Sequence, residues 1–106
     1  MDRERLIASL EKGKQLGVCK LIDKDASVIS YTYAVQKKDG RYIVFIDEYD
    51  INTYYEHELE DTEKVTVYDT LDEVFDNFAP KYGITPEDFC PPKGNKYFNP
   101  EFYRGL

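Results

Sequence analysis

The chain has 106 residues, enough for one domain around one core, because a second core would leave each half too small to bury its apolar surface. Hydrophobic residues make up 42% and charged residues 33%, a balance that excludes disordered and collagen-like chains, and no apolar run approaches the ~20 residues of a membrane-spanning helix. Two cysteines, Cys19 and Cys90, are too few for a disulfide scaffold and lack metal-site spacing, so both are expected as free thiols. The start, Met1-Asp2-Arg3-Glu4-Arg5-Leu6, is charged with both signs and has no signal-peptide apolar stretch, which makes the cytoplasm the expected compartment.

The net charge of −7 comes from 21 acids and 14 bases, and it is unevenly spread. Twelve of the acids fall between Asp47 and Asp76 with one base, Lys64, for a net of −11 there and +4 over the remainder. Such a segment repels nucleic-acid backbones, whose binding depends on Lys and Arg replacing counterions, so no direct nucleic-acid binding is expected. It suits a basic protein partner, drawn in and selected by complementary potential; the plain alternative is a solvated face.

In chain order, Leu6, Ile7 and Leu10 recur at helical spacing behind Asp2 as a cap, predicting a helix from Arg3 to Gln15 with Gly17 as its stop. Val18 to Ile22 reads as a short strand, followed by the polar turn Asp23-Lys24-Asp25. Ser27 to Gln36 is rich in β-branched and aromatic residues, with Ile29, Tyr31, Tyr33 and Val35 on one face. Asp39-Gly40 then signals a hairpin turn into Arg41–Asp47, a strand apolar on both faces and therefore expected at the centre of a sheet.

Ile51 to Leu59 is ambiguous; an edge strand is preferred, since Glu56, Glu58 and Glu60 on one face would resist edge-to-edge pairing. Lys64 to Tyr68 is a further strand. A helix over 70–79 follows, with Thr70 and Glu73 as a capping box and Leu71, Val74, Phe75 and Phe78 forming its apolar stripe. Thr85-Pro86-Glu87-Asp88 reads as the start of a helical turn. From Cys90 the tail, 90–106, has no regular period, yet Tyr97, Phe98, Phe102 and Tyr103 are costly to leave in water, so it is expected to pack as an ordered, extended segment. The order predicts an α+β fold: a mainly antiparallel sheet of three to five strands, an N-terminal helix and a second helix packed on it, and an extended C-terminal tail, all in one domain of residues 1–106.

No motif marks a reaction. The sole histidine, His57, lies between Glu56 and Glu58 without an evident nucleophile, and the phosphate-binding, dinucleotide-binding, serine-hydrolase and zinc-protease patterns are absent. The stretch Asp50-Ile51-Asn52 begins like a calcium loop and then fails. Tyr54 takes the fifth position, Tyr55 the sixth, where the sharp turn needs glycine, and Asp61 the twelfth, where a bidentate glutamate belongs. No catalytic residue, metal or cofactor is therefore expected, and the chain is read as a non-enzyme.

Ten tyrosines and six phenylalanines exceed what a core of this size needs, and Tyr49, Tyr54, Tyr55 and Tyr68 are interleaved with the acids. Tyrosine beside charge is an interface composition, with large contact area, a polar tip and little conformational entropy to lose. A small acidic α+β chain with the tyrosine-and-carboxylate stretch Asp47 to Asp76 resembles the bacterial immunity proteins that neutralise toxin domains, including those of contact-dependent growth inhibition. The resemblance implies inhibition by occlusion of a basic, nuclease-type toxin, with Tyr49, Tyr54, Tyr55, Glu56, Glu58, Glu60 and Asp61 as the expected contacts. Two alternatives stay open: a phage-type nucleic-acid mimic or anti-defence protein that binds a host nucleic-acid enzyme, and a small enzyme or ligand carrier with an unmarked pocket.

Overall fold

The computed structural model describes residues 2–25, 27–52, 63–78 and 84–99. Helix α1 (Arg3–Glu11) precedes four strands, β1 (Leu16–Lys24), β2 (Ser27–Lys38), β3 (Arg41–Asp50) and β4 (Glu63–Tyr68). Helix α2 (Leu71–Phe78) and a short 3-10 turn (Pro86–Asp88) follow. The strands form one antiparallel sheet in the order β1-β2-β3-β4. The fold is α+β, as expected.

Helix α1 starts where Asp2 accepts a hydrogen bond from the Arg5 amide at 2.8 Å. It stops four residues earlier than expected. Gly13, at φ +81°, takes the left-handed conformation that ends helices, and its amide closes onto the Leu10 carbonyl at 2.9 Å. Gly13, not Gly17, is the stop, and Gln15 lies outside the helix.

Strand β1 is longer than its apolar stretch suggested, because its ladder with β2 runs from Leu16↔Val35 to Lys24↔Ser27. The β2–β3 hairpin closes on Asp39 and Gly40, at φ +53° and +80°, the two left-handed residues of a type I′ turn whose twist matches the strands. Strand β3 lies between β2 and β4, and Tyr42, Ile43, Val44 and Phe45, which alternate between its two faces, are all buried. Ile51 and Asn52 form a turn, so they do not begin the expected edge strand, whose remaining residues lie outside the described set. Among the described residues the sheet edges are β1 and β4.

The two faces of the sheet are covered differently. On the inner face Leu16, Val18, Tyr31, Tyr33, Val35, Tyr42 and Val44 join Leu6 and Leu10 of α1, Val74 of α2, and Ile84 and Phe89 in one core. Tyr33 is fully buried, its ring edge-on to Phe89 with centroids 5.9 Å apart and its hydroxyl donating to the Val74 carbonyl at 3.4 Å. Burial pushes that hydroxyl well above the usual tyrosine range, so it stays protonated and keeps donating. Helix α2 is capped by Thr70, whose hydroxyl accepts from the Glu73 amide at 3.2 Å. The Glu73 carboxylate reaches back to the Asp69 amide at 3.2 Å, one residue beyond the partner a standard capping box would use.

Part of the outer face is covered by the C-terminal tail. Phe98 stacks on Phe45 with centroids 5.4 Å apart, over Ala34 and Ile43, and Tyr97 lies against Gly17. A Cβ at Gly17 would come within 2.9 Å of the Tyr33 carbonyl, 2.9 Å of the Tyr97 ring and 3.0 Å of Ala34. Gly17→Ala should therefore cost about 1–3 kcal/mol in chemical denaturation and loosen the tail. A Gly17→Ala protein as stable as wild type would show that Tyr97 does not sit against this strand.

At the open end of α1, Glu11 receives Lys37 at 2.6 Å and the Tyr42 hydroxyl at 2.5 Å. These two donors, Lys37 first, hold its carboxyl below the usual carboxylate range. The stabilisation is therefore complete above that range and is lost as pH falls through the lowered native value. Glu11→Gln should lower stability at neutral pH and flatten the acid limb of the stability curve in denaturant titrations, with no change in pH dependence above the carboxylate range.

Candidate functional site

Side chains alternate between faces along each strand, so the register sorts the outer face into rows. One row runs Gly17, Ala34, Phe45, Val65; beside it Gln36, Ile43 and Val67 form a second. Both lie under the tail. On the other side the composition changes within one step: the next row is Cys19, Thr32, Asp47, Glu63, and beyond it are Leu21, Ser30 and Tyr49. Leu21 is 71% exposed, Cys19 and Glu63 are exposed, and Thr32, Asp47, Ser30 and Tyr49 are half-buried. The outer face thus has an apolar half under the tail and a polar, acidic half with a tyrosine and an exposed leucine.

The tail is held over the apolar half by one carboxamide. Gln15, buried just before β1, donates through Nε2 to Oε1 of Gln36 at 3.0 Å and to the Phe98 carbonyl at 2.9 Å. Its Oε1 accepts from the amides of Tyr97 at 2.6 Å and Phe98 at 3.4 Å. Gln36 in turn donates to the Gly13 carbonyl at 3.1 Å. Both amide hydrogens and the carbonyl oxygen of Gln15 are used, so the tail is pinned across the strands at this point. At the β1 edge Gly17 and Cys90 exchange two backbone hydrogen bonds, of 3.0 and 2.9 Å, and the Tyr97 hydroxyl lies 3.2 Å from both their carbonyls.

Of the expected contact residues, Tyr49 is placed on the polar half, opposite Ser30 on β2. Tyr54, Tyr55, Glu56, Glu58, Glu60 and Asp61, together with His57 and most of the calcium-like stretch, lie outside the described residues. Several other acids of the segment have local roles. Asp50 accepts from the Asn52 amide at 2.9 Å, Asp69 pairs with Arg41 at 3.3 Å, and Glu73 caps α2. Asp47 and Glu63, brought opposite one another by the β3–β4 register, stand in the row next to Tyr49. Leu21 escaped the sequence reading because a lone leucine in a short strand reads as core until the hairpin register assigns its face.

Among the described residues no group of three or more His, Cys, Asp or Glu is placed to hold a metal ion, and no helix is long and apolar enough to cross a membrane. A cavity of about 430 Å³ opens at the β1 edge, lined by Cys19, Asp88, Cys90, Lys93, Asn95, Lys96 and Tyr97. No family model matches the chain, nor does any curated protein or solved structure.

The amide clamp is testable by itself. Gln15→Leu would strand the Tyr97 amide and the Phe98 carbonyl, with an expected cost of about 1–3 kcal/mol. Hydrogen exchange at the Tyr97 and Phe98 amides should accelerate well beyond that of the β2–β3 ladder; equal acceleration at both places would mean global destabilisation, not release of the tail.

Proposed function

We propose that this protein is an inhibitor that binds a basic protein, acting as an immunity protein that occludes the active site of a nuclease-type toxin domain. The observation that carries the reading is the polar half of the outer face, beyond the rows under Tyr97 and Phe98, where Asp47 and Glu63 stand in cross-strand register beside Tyr49 and the exposed Leu21. A rigid sheet presents these side chains without the ordering cost of a flexible loop. Leucine and tyrosine supply area to desolvate, and the carboxylates oppose a surface built to hold phosphates. The acids between Asn52 and Glu63, with Tyr54 and Tyr55, extend the same composition along the chain.

The expected mode is protein–protein, without nucleic acid or membrane. Affinity capture from lysate of the source organism with salt-graded elution should release one basic protein at moderate salt. Wild-type protein should then block that partner's nuclease activity and restore growth of cells producing it. Tyr49→Ala and Leu21→Ala should each weaken the complex by about 1–3 kcal/mol, mainly through faster dissociation. Asp47→Lys should slow association and reduce its salt dependence. Capture of no basic protein at low salt by a folded bait, or a captured partner whose activity is untouched, would overturn the proposal.

A further inference from the structure

The cavity at the β1 edge brings together groups that the binding proposal leaves unused. Cys90 Sγ lies 3.2 Å from the Tyr97 hydroxyl and 3.7 Å from the Gly17 carbonyl, and its residue is half-buried on the cavity wall. The Tyr97 hydroxyl has one proton to share between two carbonyls at 3.2 Å, so the thiol supplies a second donor to this small network. Burial and the neighbouring Cys90 sulfur raise the Tyr97 hydroxyl above the usual tyrosine range, which keeps it a donor at neutral pH. The tail is therefore latched at two points, by the Gln15 amide on its backbone and by the Cys90–Gly17–Tyr97 contacts on its ring.

The second thiol, Cys19, lines the same cavity and lies 3.5 Å from the Thr32 hydroxyl. It does not suit an internal disulfide. Cys90 is paired with Gly17, two residues from Cys19, and such diagonal neighbours sit about 7–8 Å apart, beyond the ~7 Å that a disulfide tolerates without backbone movement. An external sulfur can reach Cys90 through the cavity, whose wall also carries Lys93, Lys96 and Asn95. Asp88, the acid on that wall, is already engaged: it accepts from the Thr85 amide at 2.8 Å and pairs with Lys20 at 3.6 Å. The cavity therefore favours a small disulfide bearing carboxylates, of which oxidised glutathione is the simplest probe.

We propose that Cys90 is a thiol modification site whose conversion to a mixed disulfide unlatches Tyr97 and lifts the tail from the apolar half of the outer face. In the exchange the Cys90 thiolate attacks one sulfur of the reagent, the reagent's S–S bond breaks, and the released thiolate takes up the proton that Cys90 lost. The modified sulfur has no proton to donate. Its new neighbour, about 2.05 Å from Sγ, crowds a hydroxyl that was in hydrogen-bond contact with Sγ. Release exposes Ala34, Ile43, Phe45 and the row beside them, which enlarges the open part of the sheet and makes the surface sensitive to thiol redox state.

Treatment of the full chain with oxidised glutathione, followed by peptide mass spectrometry and residue-resolved hydrogen exchange, tests this directly. The expected result is an adduct on Cys90, exchange at the Tyr97 and Phe98 amides faster by about tenfold or more with the β2–β3 ladder still protected, and reversal by dithiothreitol. Cys19→Ser should respond like wild type, and Cys90→Ser should neither react at that position nor change its exchange. Tyr97→Phe should show the faster exchange without any reagent. An adduct on Cys90 that leaves the Tyr97 and Phe98 amides protected would overturn the latch, and a folded protein in which Cys90 stays unmodified while Cys19 reacts would overturn the site.

Discussion

The carboxamide of Gln15 joins three parts of the chain that are distant in sequence: the Gln36 side chain on β2, and through it the Gly13 turn, and the backbone of Tyr97 and Phe98. A buried amide with every hydrogen-bonding position filled is costly to disturb, because any rearrangement strands polar groups away from water. The position of the tail follows from it. Phe98 comes to rest on Phe45, and Tyr97 crosses β1 at the one residue without a side chain, Gly17. The apolar half of the outer face is closed for that reason, and the acidic half lies beyond the reach of Tyr97 and Phe98.

That division gives the sheet two different duties on a single surface. The inner face has the composition of a core, with tyrosines and aliphatic residues packed beneath two helices, and it supplies most of the apolar burial. The outer face holds a smaller apolar cluster and then changes to polar residues within one row, from Gly17–Ala34–Phe45–Val65 to Cys19–Thr32–Asp47–Glu63. Sheets that need only a soluble outer face can place any polar residue there. The grouping of carboxylates, a tyrosine and an exposed leucine is what supports a docking role, and the thiol at the β1 edge ties the extent of that surface to the tail.

Much of the fold was legible from the chain because local signals and burial pattern agreed. Asp39-Gly40 specified a type I′ turn, and the alternation of Ile29, Tyr31, Tyr33 and Val35 specified a face. Thr70 and Glu73 specified the start of α2. The errors have physical causes. Gly13 and Gly17 offer equal helix stops to a reader of sequence, yet Gly13 adopts the left-handed conformation while Gly17 is required by the close approach of Tyr97. Strand β1 exceeds its apolar core because ladder hydrogen bonds to β2 extend through polar residues that carry no periodic signal.

The sequence by itself determined the α+β class, the central hairpin, the second helix and the concentration of acid and tyrosine after Asp47, since each depends on neighbours within a few residues. Tertiary structure alone decided which acids share a face with Tyr49, that Leu21 points outward, and that Cys90, Gly17 and Tyr97 meet at one edge. Those placements depend on strand register and on a buried amide linking residues more than eighty positions apart, and contacts at that separation leave no periodic trace in the chain.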